Sequence, residues 1–70
     1  MAQVVADMAG TVYQVLVVEG DQVFDGQDVV VLESMKMEVP VSSTSAGRVA
    51  AIHVQPGDFV NEGDVLLEVE

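Results

Sequence analysis

Lys36 is the one lysine in a chain of 70 residues, and it stands in the run Glu33-Ser34-Met35-Lys36-Met37-Glu38. Its primary amine could do chemistry in three ways. As a Schiff-base former or a general base it would need burial or a neighbouring cation to shed its proton. Glu33 and Glu38 supply neither, and so short a chain leaves no room for a pocket with acid–base partners. As a plain surface charge it would be ordinary, but the two methionines beside it would go unexplained. As an attachment point it offers an exposed nucleophile on a flexible stem, from which an enzyme can form an amide with a carboxylated cofactor. Met35 and Met37 then offer soft apolar contacts that adapt to a partner's cleft, or else they pack across the hairpin. The other candidate base is His53. It lies in a predicted strand with no evident nucleophile near it, and reads as a surface or packing histidine.

The elements that must position Lys36 come as a repeat. Ala9 to Glu33 (AGTVYQVLVVEGDQVFDGQDVVVLE) aligns without a gap on Ala46 to Glu70 (AGRVAAIHVQPGDFVNEGDVLLEVE), 37 positions apart throughout. The pairs Gly10/Gly47, Val12/Val49, Val17/Val54, Gly20/Gly57, Asp21/Asp58, Val23/Val60, Gly26/Gly63 and Glu33/Glu70 are identical. Neither half is large enough to bury an apolar face alone, so the halves are expected to pack together with approximate two-fold symmetry. The first half runs on from Glu33 into the Met35-Lys36 turn, whereas the second ends at Glu70. Lys36 is therefore expected at a hairpin tip, at the edge opposite the C-terminus, accessible while the scaffold holds its base.

Valine is the commonest residue, and β-branched side chains favour strand over helix. Short apolar runs end at Gly-Asp, Asp-Gly, Pro-Gly or Glu-Gly. They predict strands over Val4–Ala6, Gly10–Val17, Gln22–Phe24, Val29–Ser34, Lys36–Pro40, Gly47–His53, Phe59–Val60 and Val65–Val69. Helix over Val29–Val39 is disfavoured by its triple valine and by Pro40. The spacing Val12-x-x-Val15-x-Val17, repeated as Val49-x-x-Ile52-x-Val54, breaks a period of two and predicts a bulge in each strand. Gly20-Asp21-x-Val23-x-x-Gly26 and Gly57-Asp58-x-Val60-x-x-Gly63 each read as turn, very short strand and turn, with structural glycines. Ser42-Ser43-Thr44-Ser45 reads as a polar connection. The whole, residues 1–70, is expected to be one all-β domain, a small sandwich or flattened barrel.

Composition narrows the partners. Twelve acids against two bases give a formal charge of −10, which argues against nucleic acid and anionic membrane surfaces. It favours encounters with basic protein surfaces. With no cysteine and one histidine, thiolate and dedicated metal sites are not expected. The N-terminus lacks the pattern of a signal peptide, and no stretch approaches a membrane span. The expectation is a cytoplasmic protein, monomeric when isolated, with no membrane insertion.

At these residues the chain resembles the biotinyl/lipoyl attachment domain family. Glu33-Ser34-Met35-Lys36-Met37 is similar to the biotinyl signature of methionine, modified lysine, methionine, and the repeated Gly-Asp-x-Val-x-x-Gly resembles the family's duplicated half-motif. Lipoyl domains usually carry aspartate before the lysine and alanine after it, so Met35 and Met37 point to biotin, with lipoate or dual modification as the alternative. Asp7-Met8-Ala9-Gly10, in place of a Pro-Met-Pro-Gly-like stretch, resembles the small free-standing biotin/lipoyl attachment proteins. Val18-Glu19-Gly20-Asp21 passes directly into the next strand, without the inserted thumb loop of some bacterial carboxylase carriers.

The resemblance covers nearly the whole chain. It implies a flattened β-barrel of two four-stranded antiparallel sheets with internal pseudo-two-fold symmetry. It also implies a non-catalytic biotin carboxyl carrier in which a biotin protein ligase joins biotin to Lys36. The carrier would then move carboxyl between biotin carboxylase and carboxyltransferase sites. Met35 and Met37 would serve recognition, and Glu33 and Glu38 would be contacts for the ligase or other partners. A plain β-rich adaptor and a small acidic enzyme using His53 are the competing readings.

Overall fold

The computed structural model describes residues 2–70. Within them the chain forms eight strands: β1 (Ala2–Val5), β2 (Gly10–Val15), β3 (Gln22–Val23), β4 (Asp28–Ser34), β5 (Met37–Ser42), β6 (Gly47–Ile52), β7 (Phe59–Val60) and β8 (Val65–Val69). They build two four-stranded sheets, ordered β1-β8-β6-β3 and β5-β4-β2-β7, with antiparallel pairing throughout. Advancing any strand by one half of the repeat carries β1 onto β5, β8 onto β4, β6 onto β2 and β3 onto β7. The expected all-β, pseudo-symmetric architecture is the one observed.

Between the sheets lie Val12, Val23, Val29, Val30, Leu32, Val49, Val60, Leu66, Leu67 and Val69, all buried. Met8, Val15, Ile52 and Val54 close the cluster from its margins. Valine and leucine at these inward positions account for most of the folding drive, because each buried side chain of this size contributes about 1.5–3 kcal/mol. Register shifts between Val12 and Gln14 and between Val49 and Ala51 supply the two bulges that the spacing predicts. Each returns the next apolar residue to the inner face.

Four tight turns share one construction. In Val18–Asp21, Phe24–Gln27, Gln55–Asp58 and Asn61–Asp64 the fourth residue's N–H donates to the carbonyl of the first at 3.0–3.1 Å. In return the first residue's N–H donates to the side-chain oxygen of Asp21, Gln27, Asp58 or Asp64, at 2.8–3.1 Å. The third residue is always glycine, with φ of 94, 88, 98 and 92°. Side chains with a Cβ avoid this region.

These turns interlock the halves. Gly20 N–H donates to the Val49 carbonyl, and its counterpart Gly57 donates to that of Val12. Likewise Gly26 donates to Ser43 and Gly63 to Ala6. Each half therefore holds backbone of the other. Ser43, the buried counterpart of Ala6, satisfies its hydroxyl against the Ser45 carbonyl at 2.6 Å. The segment read as a polar connection is thus partly core.

Several strand limits differ from those expected. β1 starts at Ala2 and stops at Val5, because Ala2 and Gln3 pair with Val69 and Glu68. β2 and β6 end at Val15 and Ile52, β3 ends at Val23, and β4 begins one residue early at Asp28. β5 starts at Met37 and runs through Pro40 to Ser42, so Lys36 is not a strand residue. Pro40 is tolerated because β5 is an edge strand, where one missing N–H breaks no ladder. Among the described residues no helix is long and apolar enough to cross a membrane.

Candidate functional site

β4 and β5 are the longest-paired hairpin in the molecule, with Cα partners from Asp28↔Ser42 to Ser34↔Met37. Two residues, Met35 and Lys36, remain to reverse the chain. A connection this short must take positive φ at one or both positions to match the strand twist. Both residues adopt it, with φ of 51° and 65°, the signature of a type I′ turn. Asparagine and glycine are the usual occupants. Methionine and lysine each bear a cost of about 1–2 kcal/mol in left-handed backbone, offset here by the ladder beneath them. Strain of this kind concentrates at functional sites.

The base of the tip is fixed. Val29, Val30 and Leu32 of β4 are buried, and β4 crosses Gly10 of β2 so closely that a Cβ there would lie 2.9 Å from the Glu33 carbonyl oxygen. The tip itself is open. Lys36 is exposed, Met35 is 92% exposed and Met37 64%. Neither methionine packs across the hairpin; both thioethers are offered to solvent. Glu33 and Glu38 are Cα partners on the outward face just below the turn. Among the described residues Arg48 forms an ion pair with Glu70 (3.1 Å) and His53 a hydrogen bond with Glu68 (2.7 Å), and Lys36 is in neither. Its amine is free to be acylated.

The remaining candidates are not part of this arrangement. His53 is a surface residue held by Glu68 on the other sheet. Its turn region, with Ile52, Val54, Gln55 and Asp58, lines a shallow hollow that Lys36 does not enter. A groove of about 360 Å³ separates edge strands β1 and β5, lined by Gln3, Val4, Val5 and Asp7 and by Pro40, Val41, Ser42 and Thr44. Those eight residues form four pairs related by the repeat, so the groove is the seam on the pseudo-two-fold. Among the described residues no cluster of three or more His, Cys, Asp or Glu side chains could hold a metal ion. Residue types alone did not reveal the left-handed turn. The signal was the two-residue gap between Ser34 and Met37, which is hidden when the strand is begun at Lys36.

Comparison with known proteins gives the same picture along the chain. Residues 2–69 match the Biotin_lipoyl family, described as biotin-requiring enzyme. The biotin/lipoyl attachment protein of Bacillus subtilis is 53% identical over 62 residues, covering 89% of this chain and 85% of that protein. The biotin carboxyl carrier protein of Streptococcus mutans is 47% identical over 64 residues, 91% of this chain and 49% of its own. The solved structure of a single-chain, multi-domain long-chain acyl-CoA carboxylase superposes with a TM-score of 0.87 at 39% identity, covering 94% of this chain and 7% of that one. The same unit thus occurs at very different shares of its host chain.

Proposed function

The chain belongs to the biotin/lipoyl attachment family, small carrier domains that are not catalytic alone and serve larger enzyme systems, and on that premise we propose that it is a biotin carboxyl carrier modified at Lys36. The observation that carries the reading is the apex itself. It presents the chain's single lysine on a two-residue turn, exposed and outside the ion pairs. Exposed methionines stand on both sides of it.

In the proposed attachment, the Lys36 Nζ attacks the carboxyl carbon of biotin activated as an acyl-adenylate by a biotin protein ligase using ATP. The C–N amide bond forms, the C–O bond to AMP breaks, and the amine's proton passes to solvent or a ligase base. Once bound, the cofactor supplies a ring nitrogen that carries CO₂ from a biotin carboxylase site to a carboxyltransferase site. This chain's residues provide reach and address. The acylated side chain spans about 14 Å of single bonds, and the rigid hairpin holds its root. Tethering keeps the group at high effective concentration for both partner sites. Met35 and Met37 give those partners adaptable apolar contacts.

Incubation with biotin protein ligase, ATP and biotin should add one biotin, read by intact mass and avidin capture. Lys36→Arg should take none, with an unchanged melt, because arginine keeps the charge and is a poor nucleophile. Undiminished biotinylation of the variant would overturn the assignment. Lipoylation of the same lysine is a second reading, supported by the 53% identity to a biotin/lipoyl attachment protein. A parallel incubation with a lipoyl-attaching enzyme tests it by its different added mass.

A further inference from the structure

We propose that the outward face of the β5-β4-β2-β7 sheet is the surface on which the biotin-attaching ligase seats. The partner surface would carry basic side chains opposite Glu33 and Glu38 and an apolar spot opposite Phe59 and Val31. The inference rests on the biotin-carrier reading and adds the address to it.

The duplicated fold carries its own control surface. On the lysine-bearing sheet, Glu38, Glu33, Thr11 and Phe59 are successive Cα partners and form one outward row. Pro40, Val31 and Gln14 form the next. The repeat carries these rows onto the other sheet, where Gln22 is paired with Arg48 beside Glu70, and Gln3, Glu68 and Ala51 follow. The backbone is shared, but the chemistry is opposite. The far face occupies its own carboxylates: Arg48 meets Glu70 at 3.1 Å, and the His53 ring is hydrogen-bonded to Glu68 at 2.7 Å. The near face has threonine where the far face has Arg48, valine where it has Glu68, and Phe59, 66% exposed, where it has Gln22.

The near face is therefore left with two kinds of unmet demand. Glu33 and Glu38 stand directly opposite each other, an arrangement that repels, and neither belongs to an ion pair among the described residues. A basic partner relieves that repulsion and gains from it in encounter rate and register. Val31 and Pro40 are paired apolar residues on the same face, and Phe59, 66% exposed, stands across Thr11 at its β7 side; exposed apolar side chains of this kind anchor contact surfaces. The acidic pair lies at the root of the Met35-Lys36 turn. A protein seated on this face is thereby brought to Lys36, with Met37 at its margin.

The test exchanges the two faces. Thr11→Arg with Phe59→Gln installs the residues that the equivalent far positions already carry, so the fold has shown that its backbone accepts them. Initial rates of biotinylation by a biotin protein ligase should show KM raised by about tenfold or more with kcat little changed. The rate should also depend less steeply on salt, since the introduced guanidinium neutralises Glu33. The mirror exchange, Gln22→Phe with Arg48→Thr, should leave both constants near wild type. If the first double variant melts early, the isosteric Glu38→Gln carries the test through the same salt dependence. A folded double variant with unchanged KM, or a mirror variant equally impaired, overturns the docking face while the carrier reading stands. Wild type that accepts no biotin overturns the carrier reading, and the docking face falls with it.

Discussion

Met35 and Lys36 hold left-handed backbone, with φ of 51° and 65°, although glycine would hold it more cheaply. The cost can be exposed by Met35→Gly. Removing the Cβ recovers about 1–2 kcal/mol of backbone strain, less about 0.5–1 kcal/mol for the freedom glycine gains in the unfolded chain. The variant is expected to melt slightly above wild type while its biotinylation slows, because an exposed thioether is lost and the turn loosens. Paired melts and initial rates decide it; a lower midpoint would show that the turn is not strained. The chemistry of this site was legible in the sequence because an unrepeated amine between methionines stands out from an acidic chain. The geometry was not, because Met and Lys are not residues whose presence announces positive φ. What fixes that geometry is the ladder from Asp28↔Ser42 to Ser34↔Met37, a contact set that spacing along the chain does not display.

At the scale of elements, glycines serve in two physically different ways, and substitution separates them. A Cβ on Gly26 or Gly63 would meet nothing within 4 Å, so alanine there should act through backbone conformation alone and cost about 1 kcal/mol or more. Gly10→Ala is different: its Cβ would press on the Glu33 carbonyl at 2.9 Å, displacing the root of the lysine hairpin. Denaturant melts should show all three destabilised, while ligase assays at a temperature where each is folded should show a slower rate for Gly10→Ala alone. Equal rates would sink the claim that Gly10 positions the tip. The two bulges could be read from the three-residue gaps Val12–Val15 and Val49–Ile52, and β7 and β8 from their flanking turns. The side-chain clasps of Asp21, Gln27, Asp58 and Asp64 could not. In sequence these residues look like ordinary turn punctuation, and their bonding back to Val18, Phe24, Gln55 and Asn61 appears only once the turns are closed. The strand expected over Lys36–Pro40 runs on to Ser42, because a proline on an edge strand breaks no ladder.

The whole molecule bears a formal charge of −10 on 70 residues, and self-repulsion of that size opposes compaction. Added salt should therefore stabilise the fold. Between low ionic strength and 0.15 M, where the screening length falls to about 8 Å, the melting midpoint is expected to rise, and sodium and potassium chloride should act alike. A midpoint indifferent to salt would mean that the charges are too dispersed to strain the fold. The pairing of Ala2 with Val69 has a consequence of another kind. β1 is the counterpart of β5 and β8 that of β4, so the end of the β1–β8 ladder at Ala2 and Val69 corresponds to the end of the β4–β5 ladder that the Met35-Lys36 turn closes. The eight strands are in effect a ring with two equivalent corners, one turned by Met35 and Lys36 and one beside the pair of Ala2 and Val69. Joining these eight strands at the second corner with a copy of the turn and cutting the first would give a circular permutant with every strand where it is now. Joining them there without cutting would give a cyclic protein with two arms facing opposite ways.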